Sequence, residues 1–246
     1  MVILLRKRDL ILSCLFCCFF LGLAAVLWRG GAVLPAFHAR EEVPVTVVID
    51  PGHGGEDGGA VSPGGVAESQ INLAVSLRVS ELLRFAGQRT RLTRDEDVTI
   101  CDQGLDTMRQ RKASDLKNRV KLVEETENAV LISVHQNSLP SSPVTHGAQV
   151  FWNRREGAEA LAGSIQEALN AAVNGGNDKH PRQIPDSIYL MKNITAPGVL
   201  VECGFLSNAP ETERLQDPAY QLRLAFAVAA GYLNAGDAET ELGEQE

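Results

Sequence analysis

Three side chains in this 246-residue chain are of the types that hold a catalytic zinc ion: His53 within IDPGHGG, Glu68, and His135 within ISVHQN. Two imidazoles and one carboxylate leave the fourth position of a tetrahedral zinc open for water, which marks a catalytic rather than a structural site. A further carboxylate, Glu202, follows the apolar run Val199–Val201 and is placed to act as a base. If these four residues converge, the chemistry is hydrolysis.

The segments around them say how they are positioned. His53 and His135 each follow an apolar, β-branched run, at 45–49 and 130–134, so each reads as lying just past the end of a buried strand. Further strands are expected at 89–93, 129–134, 148–152, 188–191 and 199–201. Apolar stripes of helical spacing separate them: Val75, Val79, Leu82 and Ala86; Leu161, Ile165, Ala168 and Ala172; Leu222, Phe226, Ala229 and Leu233. A shorter stripe at Leu116, Val120 and Val123 predicts a helix over about 115–126. Strands alternating with helices predict an α/β fold, a single domain with a mostly parallel twisted sheet covered by helices on both faces. In such sheets ligands gather beyond the carboxyl ends of the strands, which is where His53, His135 and Glu202 fall, with Glu68 opening the first helix. The polar stretch 95–115 breaks the rhythm and reads as an insertion beside the site.

Charge and composition narrow the function. Arg6, Lys7 and Arg8 precede an uncharged apolar run from Leu10 to Trp28, close to the roughly 20 residues that cross a bilayer. Residues 1–40 therefore read as a signal peptide or an uncleaved signal anchor plus linker, giving an exported protein with a catalytic domain over 41–236. Residues 237–246 read as an acidic disordered tail. Of 23 basic and 31 acidic residues, only Asp9 among the acids lies in the first 40, against five basic ones, so the remainder is strongly acidic. That excludes nucleic acid as a partner, since phosphate binding needs a basic surface. Cys101 and Cys203 are the two cysteines outside the apolar segment, too few for a disulfide framework.

Competing schemes are weaker. The glycines around His53 lack the third glycine of a dinucleotide fingerprint and the lysine of a P-loop, and suit a tight turn that leaves the imidazole bare. No GxSxG elbow and no HExxH is present. Glu56 and Asp57 compete with Glu68 as third ligand but sit in the glycine loop. Cys203 with His135 would make a cysteine-peptidase pair, yet the adjoining Glu202 opposes thiolate formation. His180 and Arg182 lie in a polar loop within reach of a substrate.

The segments VVIDPGHGGEDGGA, Glu68 with Asn72 and Leu73, LISVHQN and LVECGFLSN together resemble the zinc-dependent N-acetylmuramoyl-L-alanine amidases of the amidase-3 type, over about residues 45–235 and in family order. EDVTICDQGLDTMRQRKASDLKNR and the cysteine after Glu202 are most similar to the germination-specific, sporulation branch of that family. The resemblance implies one zinc per chain on His53, Glu68 and His135, Glu202 as the catalytic residue, and Asn137 and Arg182 as substrate-binding residues. It implies hydrolysis of the amide between the lactyl group of muramic acid and L-alanine in peptidoglycan, in preparation of muramic-δ-lactam in spore cortex. An accessory protein of the sporulation system, and the membrane through an uncleaved N-terminus, are the further partners it implies. The alternatives are a catalytically silent wall-binding module and a zinc peptidase or deacetylase acting on another wall substrate.

Overall fold

A six-stranded sheet forms the centre of the described residues, in the order β2-β1-β3-β6-β4-β5. Its strands are β1 (Thr46–Pro51), β2 (Arg89–Leu92), β3 (Ala129–Asn137), β4 (Gln149–Trp152), β5 (Arg182–Gln183) and β6 (Gly198–Phe205). The computed structural model describes residues 44–243, with side chains to residue 235. The export segment expected at 1–40 lies outside them, and no helix among the described residues is long and apolar enough to cross a membrane. Strands β2, β1, β3 and β6 run parallel, while β4 pairs antiparallel to β6 and carries β5 on its far side.

Alternation of side chains along the strands sends the apolar residues to two cores. On one face Val47, Ile49, Ile132, Val134, Val199 and Val201 pack under three helices, α1 (Glu68–Phe85), α3 (Ala158–Leu169) and α6 (Pro218–Gly243). On the other, Val48, Leu131 and Leu200 meet α2 (Met108–Glu124) and the short α4 (Tyr189–Asn193) through Val123, Leu190 and Met191. A last helix, α5 (Ala209–Gln216), follows β6. The fold is thus the covered, mostly parallel α/β sheet that the sequence predicts.

Three local expectations are corrected. Residues 188–191, expected as a strand, enter helix α4; Leu190 and Met191 are adjacent buried positions, which a strand would send to opposite faces. Helix α2 begins at Met108, well before residue 115, because Thr107 and Gln110 form a reciprocal capping box. In α6 the buried side is Tyr220, Leu224 and Val228, while Leu222 and Phe226 are exposed at 50% and 63%. That helix is apolar nearly all round, so spacing alone does not set its phase. Its backbone is helical to Gly243.

Candidate functional site

The site is built where three strand segments and one helix start meet. Beyond β1 the chain turns at Gly52, and His53 adopts a left-handed conformation with φ 61°, followed by glycines 54 and 55, also at positive φ. That turn lifts the imidazole out of the strand direction. A Cβ on Gly59 would stand 2.6 Å from Glu68 Oε2 and 2.7 Å from His53 Cδ2, so only glycine admits both side chains there. His135 and Glu202 are direct register partners on β3 and β6. They lie within their strands rather than past the ends, because both strands run further than their apolar cores.

Glu68 is buried and held from several directions. Its Oε2 accepts the Ala60 N–H at 2.8 Å, and its Oε1 accepts the Gln136 N–H at 3.0 Å and the Asn72 amide at 3.2 Å. His135 Nδ1 lies 2.9 Å and His53 Nε2 3.5 Å from the same Oε1. Burial by itself would raise this carboxyl, but the His135 bond and the two imidazoles bring it down to about 2. In turn His135 is raised above the usual imidazole value: burial opposes its charge, and the Glu68 carboxylate outweighs burial. One ligand atom from each of His53, Glu68 and His135 lies within 4.8 Å of the others. Two imidazole nitrogens and a carboxylate oxygen at that spacing are a donor set suited to zinc.

Glu202 is the opposite case. Its Oε2 is buried without a hydrogen-bond partner, and burial lifts its pKa to about 7, with His135 pulling down and Glu68 pushing up. A buried carboxyl with an orphaned oxygen and a pKa near neutrality is equipped to take up and return a proton. It opens, with His53 and His135, into a cavity of about 330 Å³ whose other wall carries Leu116, Ile188 and Tyr189.

The competitors resolve by position. Asp57 backs His53, its Oδ2 3.0 Å from Nδ1, and pairs with Lys112 at 2.8 Å. Those bonds hold its carboxyl well below the usual range despite partial burial. Glu56 is exposed and pairs with Arg111. Cys203 faces the opposite core from His135, and burial drives its thiol up to about 12, so it is no nucleophile. The remaining sequence candidates stand apart from the cavity. Asn137 binds the following Ser138 N–H through its own Oδ1, and Arg182 is exposed on β5, at the far edge of the sheet. What the sequence reading missed is the support: Asn72, which ties Glu68 to the Gly52 carbonyl, and the buried arginines Arg94 and Arg119. An arginine directly after a strand, or amid the polar positions of a helix, carries no signal of burial.

This arrangement defines an α/β protein with a metal-type donor triad beside a proton-carrying carboxyl, the equipment of a hydrolase. The chain belongs to the N-acetylmuramoyl-L-alanine amidase family, whose pattern matches residues 47–234. It is 37% identical over 187 residues to a germination-specific N-acetylmuramoyl-L-alanine amidase of Bacillus subtilis, covering 76% of this chain and 78% of that one. Among solved structures it is similar to the CwlD amidase of Clostridioides difficile, solved in complex with the GerS lipoprotein. The TM-score is 0.75 at 34% identity, with 78% of this chain and 98% of that one covered. The catalytic domain of the amidase CwlV of Bacillus (Paenibacillus) polymyxa gives a TM-score of 0.66 at 32% identity, over 78% and 98% of the two chains. The protein is an N-acetylmuramoyl-L-alanine amidase.

Proposed function

We propose that the amidase works with one zinc ion held by His53, Glu68 and His135, with Glu202 as general base and then general acid. The observation that carries this reading is the contrast within the site: Glu68 is saturated with hydrogen bonds, while the neighbouring Glu202 keeps a buried, unpartnered oxygen. A zinc ion at such a triad supplies Lewis acidity, polarising the scissile carbonyl and acidifying water. The protein's own groups do the rest. Asp57 and the Glu68 carboxylate fix the two imidazole rings. Glu202 takes the proton of the attacking water and delivers it to the alanine nitrogen as the carbon–nitrogen bond breaks. The products are a free lactyl carboxylate on muramic acid and a stem peptide with a free L-alanine amino group.

The substrate of this reading is peptidoglycan, and the setting is spore cortex, where removal of the stem peptide prepares muramic acid for closure to its δ-lactam. Similarity to the germination-specific relative supports that setting. The apolar run after Arg6, Lys7 and Arg8 supports export, with residues 41–236 as the catalytic domain. An accessory protein belongs to the same reading, since the Clostridioides difficile relative was solved with a lipoprotein bound.

The test is digestion of purified peptidoglycan followed by mass spectrometry of the muropeptides. Peptide-free muramic acid and stem peptides beginning at L-alanine are expected, lost on chelation and restored by zinc. Cleavage at another bond, or activity indifferent to chelator, overturns the reading.

A further inference from the structure

The backbone that presents His53 is held by an uncommon device. At Pro51, Gly52 and His53 three successive carbonyl groups turn inward, and two buried guanidinium groups receive them. Arg119, 2% exposed, donates to the Pro51 carbonyl at 2.8 Å and to the His53 carbonyl at 2.7 Å. Arg94, 3% exposed, donates to Pro51 at 3.0 Å and to Gly52 at 3.1 Å, and its fork reaches the Ser69 carbonyl at 3.0 Å in the first turn of α1, one residue after Glu68. Asn72 takes the Gly52 carbonyl from the other side. The left-handed conformation of His53 is costly for a residue with a side chain, and persists only where surrounding bonds over-determine it. Here they do.

The two arginines differ in how they are balanced. Arg119 is paired with Asp50 at 2.5 Å and with Asp115 at 2.6 Å, so it also neutralises buried acids and helps hold α2 on the sheet. Arg94 makes no ion pair within 4 Å among the described residues; every hydrogen bond it makes runs to a main-chain carbonyl. Its fork connects the His53 turn with the helix start that carries Glu68. A buried cation spent wholly on the backbone between two expected metal ligands is there for geometry, since its charge opposes the binding of a second cation nearby.

We infer that Arg94, with Arg119 beside it, is a positioning residue for the metal centre: its guanidinium fixes the spacing between His53 and Glu68 and so sets zinc affinity. This rests on the reading of those two residues as zinc ligands. A fork with parallel donors can hold two carbonyls at a set separation, whereas a lysine ammonium in the same place supplies charge without that geometry.

The test is Arg94→Lys in the otherwise intact protein, with zinc affinity measured by chelator competition and the ligand field read from the visible spectrum of the cobalt-substituted protein. Arg94→Lys keeps the buried charge. Its zinc affinity is expected to fall by about tenfold or more, the range seen when groups behind metal ligands are altered. The cobalt bands should shift; the melting temperature of the metal-free protein should fall as well, because buried carbonyls lose their donor, so affinities are compared at a temperature where circular dichroism shows each variant folded. Arg94→Met supplies the sign. If Arg94 acted through charge alone, its removal would raise zinc affinity; positioning requires that affinity fall. Unchanged or raised affinity in Arg94→Lys, with an unshifted cobalt spectrum, overturns the inference. A wild-type protein that binds no zinc overturns the metal reading itself, a separate outcome seen before any variant is made.

Discussion

Two glutamates, Glu68 buried and Glu202 half-buried, stand on either side of His135, and the protein treats them in opposite ways. The region around Glu68 is crowded with donors: two backbone N–H groups, the Asn72 amide and two imidazoles converge on one carboxylate, and against burial the imidazoles, His135 foremost, bring it to about 2. The region around Glu202 offers an apolar strand, an unpartnered oxygen and a pKa of about 7. Charged and oriented, the first suits a ligand. The second, undecided between charge and neutrality, suits a proton carrier. Environment rather than residue type separates the two roles, a pattern common to sites that need carboxylates for different tasks.

The largest effect that would sharpen this contrast is on turnover. Glu202→Gln keeps the shape but removes the proton acceptor, so kcat should fall by about 10²–10⁴-fold with bound zinc unchanged. Metal loss in that variant would break the division of roles. Glu68→Gln should do the reverse and lower zinc affinity by more than ~100-fold, beyond the effect of altering groups behind the ligands. Elemental analysis after dialysis against a weak chelator reads both.

A third prediction concerns stability of the metal-free protein. Glu202 has a folded pKa raised from 4.5 to about 7, so its contribution is fully present below pH 4.5 and is lost as pH rises toward 7. The loss approaches about 3 kcal/mol, at 1.36 kcal/mol per pKa unit. Glu202→Gln should therefore be more stable than the wild type at pH 8 and equal to it near pH 4, by urea denaturation of chelated samples. Glu68 and Asp50, both lowered to about 2, run the other way: their stabilisation is present above about pH 4.5 and is lost as pH falls through 2. The smallest effect expected is from Arg182→Ala, exposed on β5, which should change kcat/KM less than about twofold under the ~0.5 kcal/mol typical of surface substitutions.

The features legible in the sequence were those that local pattern encodes. Apolar β-branched runs located five of the six strands, and the glycines beside His53 announced a turn that only glycine-rich backbone can make. Placement at strand ends then drew His53, His135 and Glu202 to one edge of the sheet, with Glu68 at the helix start. Much of the rest depends on tertiary surroundings. A helix apolar on most sides, as α6 is, does not reveal which stripe is buried. The two-residue β5 is too short for any period to register. Whether Glu68 or Glu202 carries the bound charge is decided first by the His135 and His53 imidazoles beside Glu68, with the Ala60 N–H adding to them, contacts that sequence distance hides. Arg94 and Arg119 carry no mark in the sequence, because nothing nearby in the chain shows the carbonyls they serve.

Diffraction data collected at the zinc absorption edge from crystals of the zinc-loaded protein test the division between the two glutamates most directly. The account predicts one anomalous peak bonded to His53, Glu68 and His135, with a Glu68 oxygen at roughly 2.0–2.2 Å and no direct bond to Glu202. A peak bonded to Glu202, or one that leaves Glu68 on its hydrogen bonds alone, would contradict it.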